Sequence, residues 1–387
     1  MSAPSEELIR AALAKVDDPE IRKPLTELGM VKGVEVDPAT GRVDIGIYLT
    51  VATCPMRDTI TDRVRTAVAD VPGVGEIAVE LDVMSDEQRT ELRKHLRGDA
   101  AEPVIPFAQP GNLTRVYAVA SGKGGVGKST ATVNLATALA SRGLSVGVLD
   151  ADIYGHSIPR MLGTDARPTQ VEQMILPPVA HDVKVISIAQ FTKGNTPVVW
   201  RGPMLHRALQ QFLADVYWGD LDVLLMDLPP GTGDVAISIA QLIPSAEILV
   251  VTTPQQAAAE VAERAGSIAL QTRQRIAGVI ENMSWLELPD GTRMDVFGTG
   301  GGAEVAANLS RSVGAPVTLL GQVPLEQAVR EHGDEGTPIV LAEPDSPSGR
   351  AYREIADGLA VRPRGLAGMN LGIDTTRHLW RTATAGG

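Results

Sequence analysis

Gly122, Lys123, Gly124, Gly125, Val126, Gly127, Lys128 and Ser129 stand between a β-branched run at 116–120 and a helix-forming stretch at 130–141. No other feature restricts the fold as much, because a glycine loop closing on Lys-Ser must leave a strand and enter a helix to work. Glycines let backbone N–H groups converge on an anion, and the helix N-terminus adds its dipole. Lys128 then reaches the β and γ phosphates, Ser129 ligates magnesium, and Thr130 opens the helix and completes the nucleotide-contacting stretch. The loop reads as one that binds and hydrolyses ATP with Mg2+.

The chain around this loop repeats one rhythm. Short apolar runs at 116–120, 145–149, 183–188, 223–226, 248–251, 277–280 and 317–320 alternate with helical stretches, as in βαβ units of a parallel sheet. The expected class is α/β, a doubly wound, mostly parallel sheet of the P-loop type over residues 114–361. Parallel strands present their C-terminal ends on one edge, so Asp150, its neighbour Asp152, and Asp227 fall on the same side as the loop. Leu224, Leu225 and Met226 before Asp227 have the form of a strand whose terminal carboxylate holds magnesium.

Residues 99–113 contain Pro103, Pro106 and Pro110 and read as a linker. Before it, residues 1–98 show a helix at 6–16, strands at 31–36, 43–51 and 77–83, a helix over 56–71 and another at 86–97, hence a small α+β domain. Residues 362–387 have no clear period and read as a loose tail.

Lys plus Arg number 35 against 47 for Asp plus Glu, a formal charge of −12. Such a surface repels nucleic acid and anionic membranes. Cys54 is the single cysteine, so no intrachain disulfide forms. With no signal-peptide pattern and no run near ~18 apolar residues, the chain reads as cytoplasmic.

Lys123, an extra lysine just after the first glycine, resembles the signature of deviant Walker A ATPases, which include partitioning, division-site and nitrogenase-iron-protein relatives. Within that class four segments resemble the Mrp/ApbC family of iron–sulfur cluster carriers: Asp150 to Pro159, Asp227 to Asp234, Glu281-Asn282-Met283, and Phe297 to Gly302. Asp18-Pro19-Glu20 and Thr53-Cys54-Pro55 resemble a domain that recurs in cluster-assembly proteins.

The resemblance implies a homodimer in which Lys123 reaches the partner's nucleotide, although alone it would be an ordinary solvated loop charge. It implies that Asp152 orients the attacking water, that Asp150 and Asp227 lie near magnesium, and that Asn282 and the loop at Pro324 contact adenine. It also implies iron–sulfur apoproteins or assembly proteins as partners.

One departure stands out. The family's Cys-x-x-Cys pair after Glu-Asn-Met is absent, and residues 285–292 hold no cysteine. Leucine, aspartate and glycine cannot replace soft thiolates. The six histidines show no metal-ligand spacing. Cys54, placed before Pro55 as the N-cap of a helix with Ile60, Val64 and Val68 on one face, is either a dipole-activated thiolate that ligates iron or a small buried hydrophobe. Two readings compete with a cluster carrier: a nucleotide-dependent scaffold that holds no cluster, and a positioning or partitioning switch.

Overall fold

The computed structural model describes residues 4–52, 54, 56–97, 104–152, 155, 157–191, 202–231, 234–255 and 267–360. The first elements are α1 (Glu6–Leu13), β1 (Val31–Val36), β2 (Val43–Leu49), α2 (Arg57–Ala69), β3 (Ile77–Val83) and α3 (Asp86–Arg97). Their sheet runs β1-β2-β3, antiparallel between β1 and β2 and parallel between β2 and β3. Strict alternation in β2 turns Val43, Ile45, Ile47 and Leu49 inward, where Ile60, Val64 and Val68 of α2 meet them. The expected helical face is therefore the observed one.

The large sheet holds eight strands in the order β15-β12-β11-β4-β10-β5-β9-β8. They are β4 (Arg115–Ala120), β5 (Val146–Asp150), β8 (Val179–Ala180), β9 (Val183–Ser187), β10 (Val223–Asp227), β11 (Glu247–Thr252), β12 (Ile276–Asn282) and β15 (Leu319–Val323). All pairings are parallel except that of β8 with β9. Every residue of β5, β9 and β10 is buried, as expected where helices cover both faces. One apolar core lies on each face.

Sequence periodicity missed the shortest pieces: β8 and the hairpins β6 (Thr169–Val171) with β7 (Met174–Leu176) and β13 (Leu286–Glu287) with β14 (Arg293–Met294). Two or three residues are too few to show a period. The last strand lies two residues later than its apolar run, because the Val317 N–H donates to Ser310 Oγ at 2.9 Å instead of joining the ladder. Between β8 and β9, His181 and Asp182 both take left-handed backbone angles, 48° and 61°, which close a two-residue hairpin.

The latter part of the expected linker is docked rather than free. Pro106–Ala108 forms a 3-10 turn, and Phe107 is buried edge-on against Trp218, ring centroids 6.3 Å apart. The expected tail at 362–387 lies outside the described residues. Val171, Met174, Leu176 and Tyr217 share one apolar core with α1, β2 and α2, so the two sheets meet through a packed seam.

Candidate functional site

The β4 backbone ends at Ala120, and α4 (Lys128–Ala140) begins with Lys128, so helix geometry starts earlier than its apolar stretch suggests. Gly125 and Gly127 adopt φ of 77° and 79°, which bends the loop around a hollow of N–H groups. A Cβ on Gly127 would lie 2.2 Å from Asn282 Nδ2, so a side chain here would strain the left-handed backbone and push Asn282 off the loop. Asn282 Nδ2 itself donates to the Val126 carbonyl at 2.9 Å. The residue expected to face adenine thus also fastens the phosphate loop. Pro324 is buried directly after Val323, the strand partner of Asn282, so both expected base-side residues reach one edge.

Parallel register sets Asp227 beside Asp150 at the ends of β10 and β5. Lys128 Nζ forms a close ion pair with Asp227 Oδ1 at 2.7 Å and approaches Asp152 Oδ2 at 3.8 Å. Ser129 Oγ donates to Asp227 Oδ2 at 2.6 Å, and Thr132 Oγ1 donates to Asp227 Oδ1 at 3.0 Å. On the neighbouring strand, Ser187 Oγ donates to Asp150 Oδ2 at 2.9 Å, and the Asp152 N–H donates to Asp150 Oδ1 at 3.2 Å. Thr130 contributes its carbonyl to Asn134 Nδ2. Gly122 and Gly124 complete the loop, and Lys123 Nζ donates to Gln255 Oε1.

The electrostatics are unbalanced. Asp150, Asp152 and Asp227 are all buried, and among the described residues Lys128 is the buried ammonium they share. Burial pushes the Asp150 carboxyl up to about 7, and the neighbouring Asp227 charge adds to this. Burial also raises Asp227, against the pull of Lys128. A hard cation relieves such a site, and magnesium needs only one or two protein oxygens beside phosphate and water. Ser129 Oγ, Asp227 and Asp150 fit it. Among the described residues no group of three His, Cys, Asp or Glu side chains forms a larger metal cage.

Thr132, Ser187 and Gln255 were not anticipated from sequence. Thr132 sits one turn after Lys128, so helical spacing could have exposed it, whereas Ser187 and Gln255 reach the site only through strand order.

Of the two readings of Cys54, the structure agrees with the small buried hydrophobe and not with the N-cap thiolate. Met56, not Cys54, is the N-cap of α2, and Cys54 is buried at 5% exposure. Burial pushes its thiol up to about 11, helped by the nearby Glu20 and Asp18 charges and opposed by the Met56 N–H. Pro55 lies outside the described residues. Where the family's cysteine pair would stand, the β13–β14 hairpin places the Arg293 guanidinium over the Trp285 ring, 4.3 Å from its centroid. No helix among the described residues is long and apolar enough to cross a membrane.

Comparison with known proteins agrees with this geometry. The family model described as "NUBPL iron-transfer P-loop NTPase" matches residues 112–360, and the one described as "Iron-sulfur cluster assembly protein" matches residues 6–79. The chain is 74% identical to the iron-sulfur cluster carrier protein of Mycobacterium tuberculosis, covering 96% of this chain and 97% of that one. The carrier of Mycobacterium leprae is 70% identical, with 96% of each chain covered. A nucleotide-binding protein from Archaeoglobus fulgidus, solved in complex with ADP, superposes with a TM-score of 0.51 and 34% identity over 60% of this chain and 89% of that one. A glycine cradle, two strand-end carboxylates and a small α+β unit in front therefore have one common origin: the chain belongs to the iron–sulfur cluster carrier family of P-loop NTPases.

Proposed function

We propose that the chain binds and hydrolyses ATP with magnesium, as a cytoplasmic homodimer, to assemble iron–sulfur clusters or deliver them to apoproteins. The observation that carries the nucleotide chemistry is the convergence of Lys128, Ser129 and Asp227 within 2.7 Å contacts beneath the glycine loop. Lys128 Nζ stands at the phosphate cradle. Asp152 stands close to it with a carboxylate able to accept a hydrogen bond from an attacking water, which suits an orienting role. Magnesium, when bound, supplies the charge that neutralises the phosphates.

Lys123 would act on the partner's nucleotide. Its hold on Gln255 would have to be released first. Asp150 and Asp227 would orient the magnesium shell, and Asn282 and Pro324 would border the base.

Two substitutions test this reading. Lys128→Ala should weaken nucleotide binding by roughly tenfold to a hundredfold, the loss of a charge-assisted contact of about 1.5–3 kcal/mol. Asp152→Asn should leave binding within about twofold and slow hydrolysis by about a hundredfold. Hydrolysis at the parental rate in Asp152→Asn would remove that residue from the mechanism.

A second reading has its own support. The Trp285–Arg293 stack and the buried, protonated Cys54 leave no thiolate pair on the described surface, which favours a scaffold that guides clusters held by other proteins. Anaerobic reconstitution with iron and sulfide separates the two. Protein-bound iron with a visible absorbance band that vanishes in Cys54→Ser would support carriage through that thiol, and no iron in either protein would support the scaffold.

A further inference from the structure

The seam between the two sheets contains ionisable groups that folding rarely buries. Asp18, Glu20 and Lys184 are each at most 3% exposed, and they come from both sides of the seam. Lys184, on β9, donates to the Trp218 carbonyl at 3.0 Å and lies over the Tyr217 ring, 5.1 Å from its centroid. Asp18 accepts from the Glu20 and Ile21 N–H groups at 2.9 and 2.7 Å, which braces its own turn from within. Around the rim, Arg22 Nη2 donates to the Asp182 carbonyl at 2.7 Å, and Arg93 Nε pairs with Glu172 Oε2 at 3.1 Å. Cys54 belongs to the same core and feels the charges of Glu20 and Asp18.

The seam and the phosphate site share a ladder. In the β5–β9 pairing, Gly147 stands opposite Lys184, and Asp150 stands opposite Ser187. Lys184 and Ser187 are three residues apart on one strand, about 10 Å. Gly147 carries the Trp218 ring so closely that a Cβ there would come within 2.9 Å of it. Asp150 and the residues that hold Lys184 are thus joined by contiguous packed strand backbone, the kind of contact through which distant sites can couple. Lys128 rests on Asp227. Phosphate and magnesium would draw Lys128, Asp150 and Asp227 into new contacts, and the Ser187–Asp150 bond lies directly in that path.

We infer that the seam is a latch: it holds the first domain on β9 and the β6–β7 hairpin and covers Cys54, and nucleotide binding releases it through the β5–β9 ladder. The inference rests on the nucleotide-binding reading above. It assigns that binding a task, the timed uncovering of the chain's one thiol and of the surface around it.

Because Cys54 is the single cysteine, its alkylation by iodoacetamide reports the latch without ambiguity. The full chain is labelled with and without a saturating non-hydrolysable ATP analogue and magnesium, and analogue binding is measured on the same samples. Bound analogue should speed labelling about fivefold or more. Lys184→Met and Arg93→Ala should speed it without nucleotide, and by reciprocity both should bind the analogue more tightly. Arg93 sits on the rim, so its truncation leaves both cores intact and guards against misreading an unfolded Lys184→Met protein. Analogue that binds without altering the labelling rate overturns the latch, as does parental labelling in both variants. If the analogue does not bind at all, the nucleotide-binding reading fails first and the latch fails with it.

Discussion

Glu20 is a carboxylate that the fold keeps protonated near neutral pH. Burial and the adjacent Asp18 charge raise it from 4.5 to about 8, against Lys184 and a hydrogen bond from Thr169. A raised acid means that the folded chain holds a proton that the unfolded chain has released. Its stabilising contribution is complete below about pH 4.5 and is lost as pH rises through about 8. Lys184, lowered from 10.5 to about 8 by burial and the Arg22 charge, works in the opposite sense: its contribution is present above 10.5 and lost as pH falls through about 8. Asp18, itself raised by burial, and Arg63 and Asp220 complete the charges around the pair. The seam is therefore weakest near pH 8. Thermal unfolding should show stability falling between pH 5 and 8 by up to ~1.4 kcal/mol per pH unit, and Glu20→Gln should flatten that fall. An unchanged slope in Glu20→Gln would show that other groups set the pH dependence. Sequence alone marked Asp18-Pro19-Glu20 as a motif but could not show its burial, because the groups that enclose it come from residues 169–184 and 217.

At the scale of elements, the strand that ends in Asp150 is shaped by a residue without a side chain. A Cβ on Gly147 would meet Leu221 and Trp218 at 2.7 to 2.9 Å, inside a fully buried strand. Gly147→Ala should lower stability by about 1–3 kcal/mol through overpacking, read as a reduced midpoint in urea. Because β5 also carries Asp150, nucleotide affinity should fall with it, and parental stability would mean that Trp218 moves aside freely. The main strands were legible because each is a short apolar run followed by a helical stretch. The phosphate loop and its carboxylates were legible because chemistry fixes their residue types and because parallel strands share an edge. Hydrogen-bond partners such as Ser187 were not, since a serine at the end of a strand is common and only the strand order β10-β5-β9 gives it a neighbour.

For the whole molecule, the in-cis contact of Lys123 with Gln255 sets the question of assembly. If one subunit completes the other's site, Lys123→Ala should hydrolyse slowly, and mixing it with Lys128→Ala should restore part of the activity. Light scattering beside the rate checks the outcome, and an active monomer at all concentrations would reject action in trans. The β8 side of the large sheet bears on assembly differently. A sheet end usually exposes a row of N–H and C=O groups that invites another chain to add a strand. Here that end is a two-residue strand closed by the left-handed pair His181–Asp182, and Arg22 occupies the Asp182 carbonyl. So short an edge, with one of its turn carbonyls already taken, offers little for another sheet to add to, and concentrated protein gains little from stacking sheet to sheet on that side.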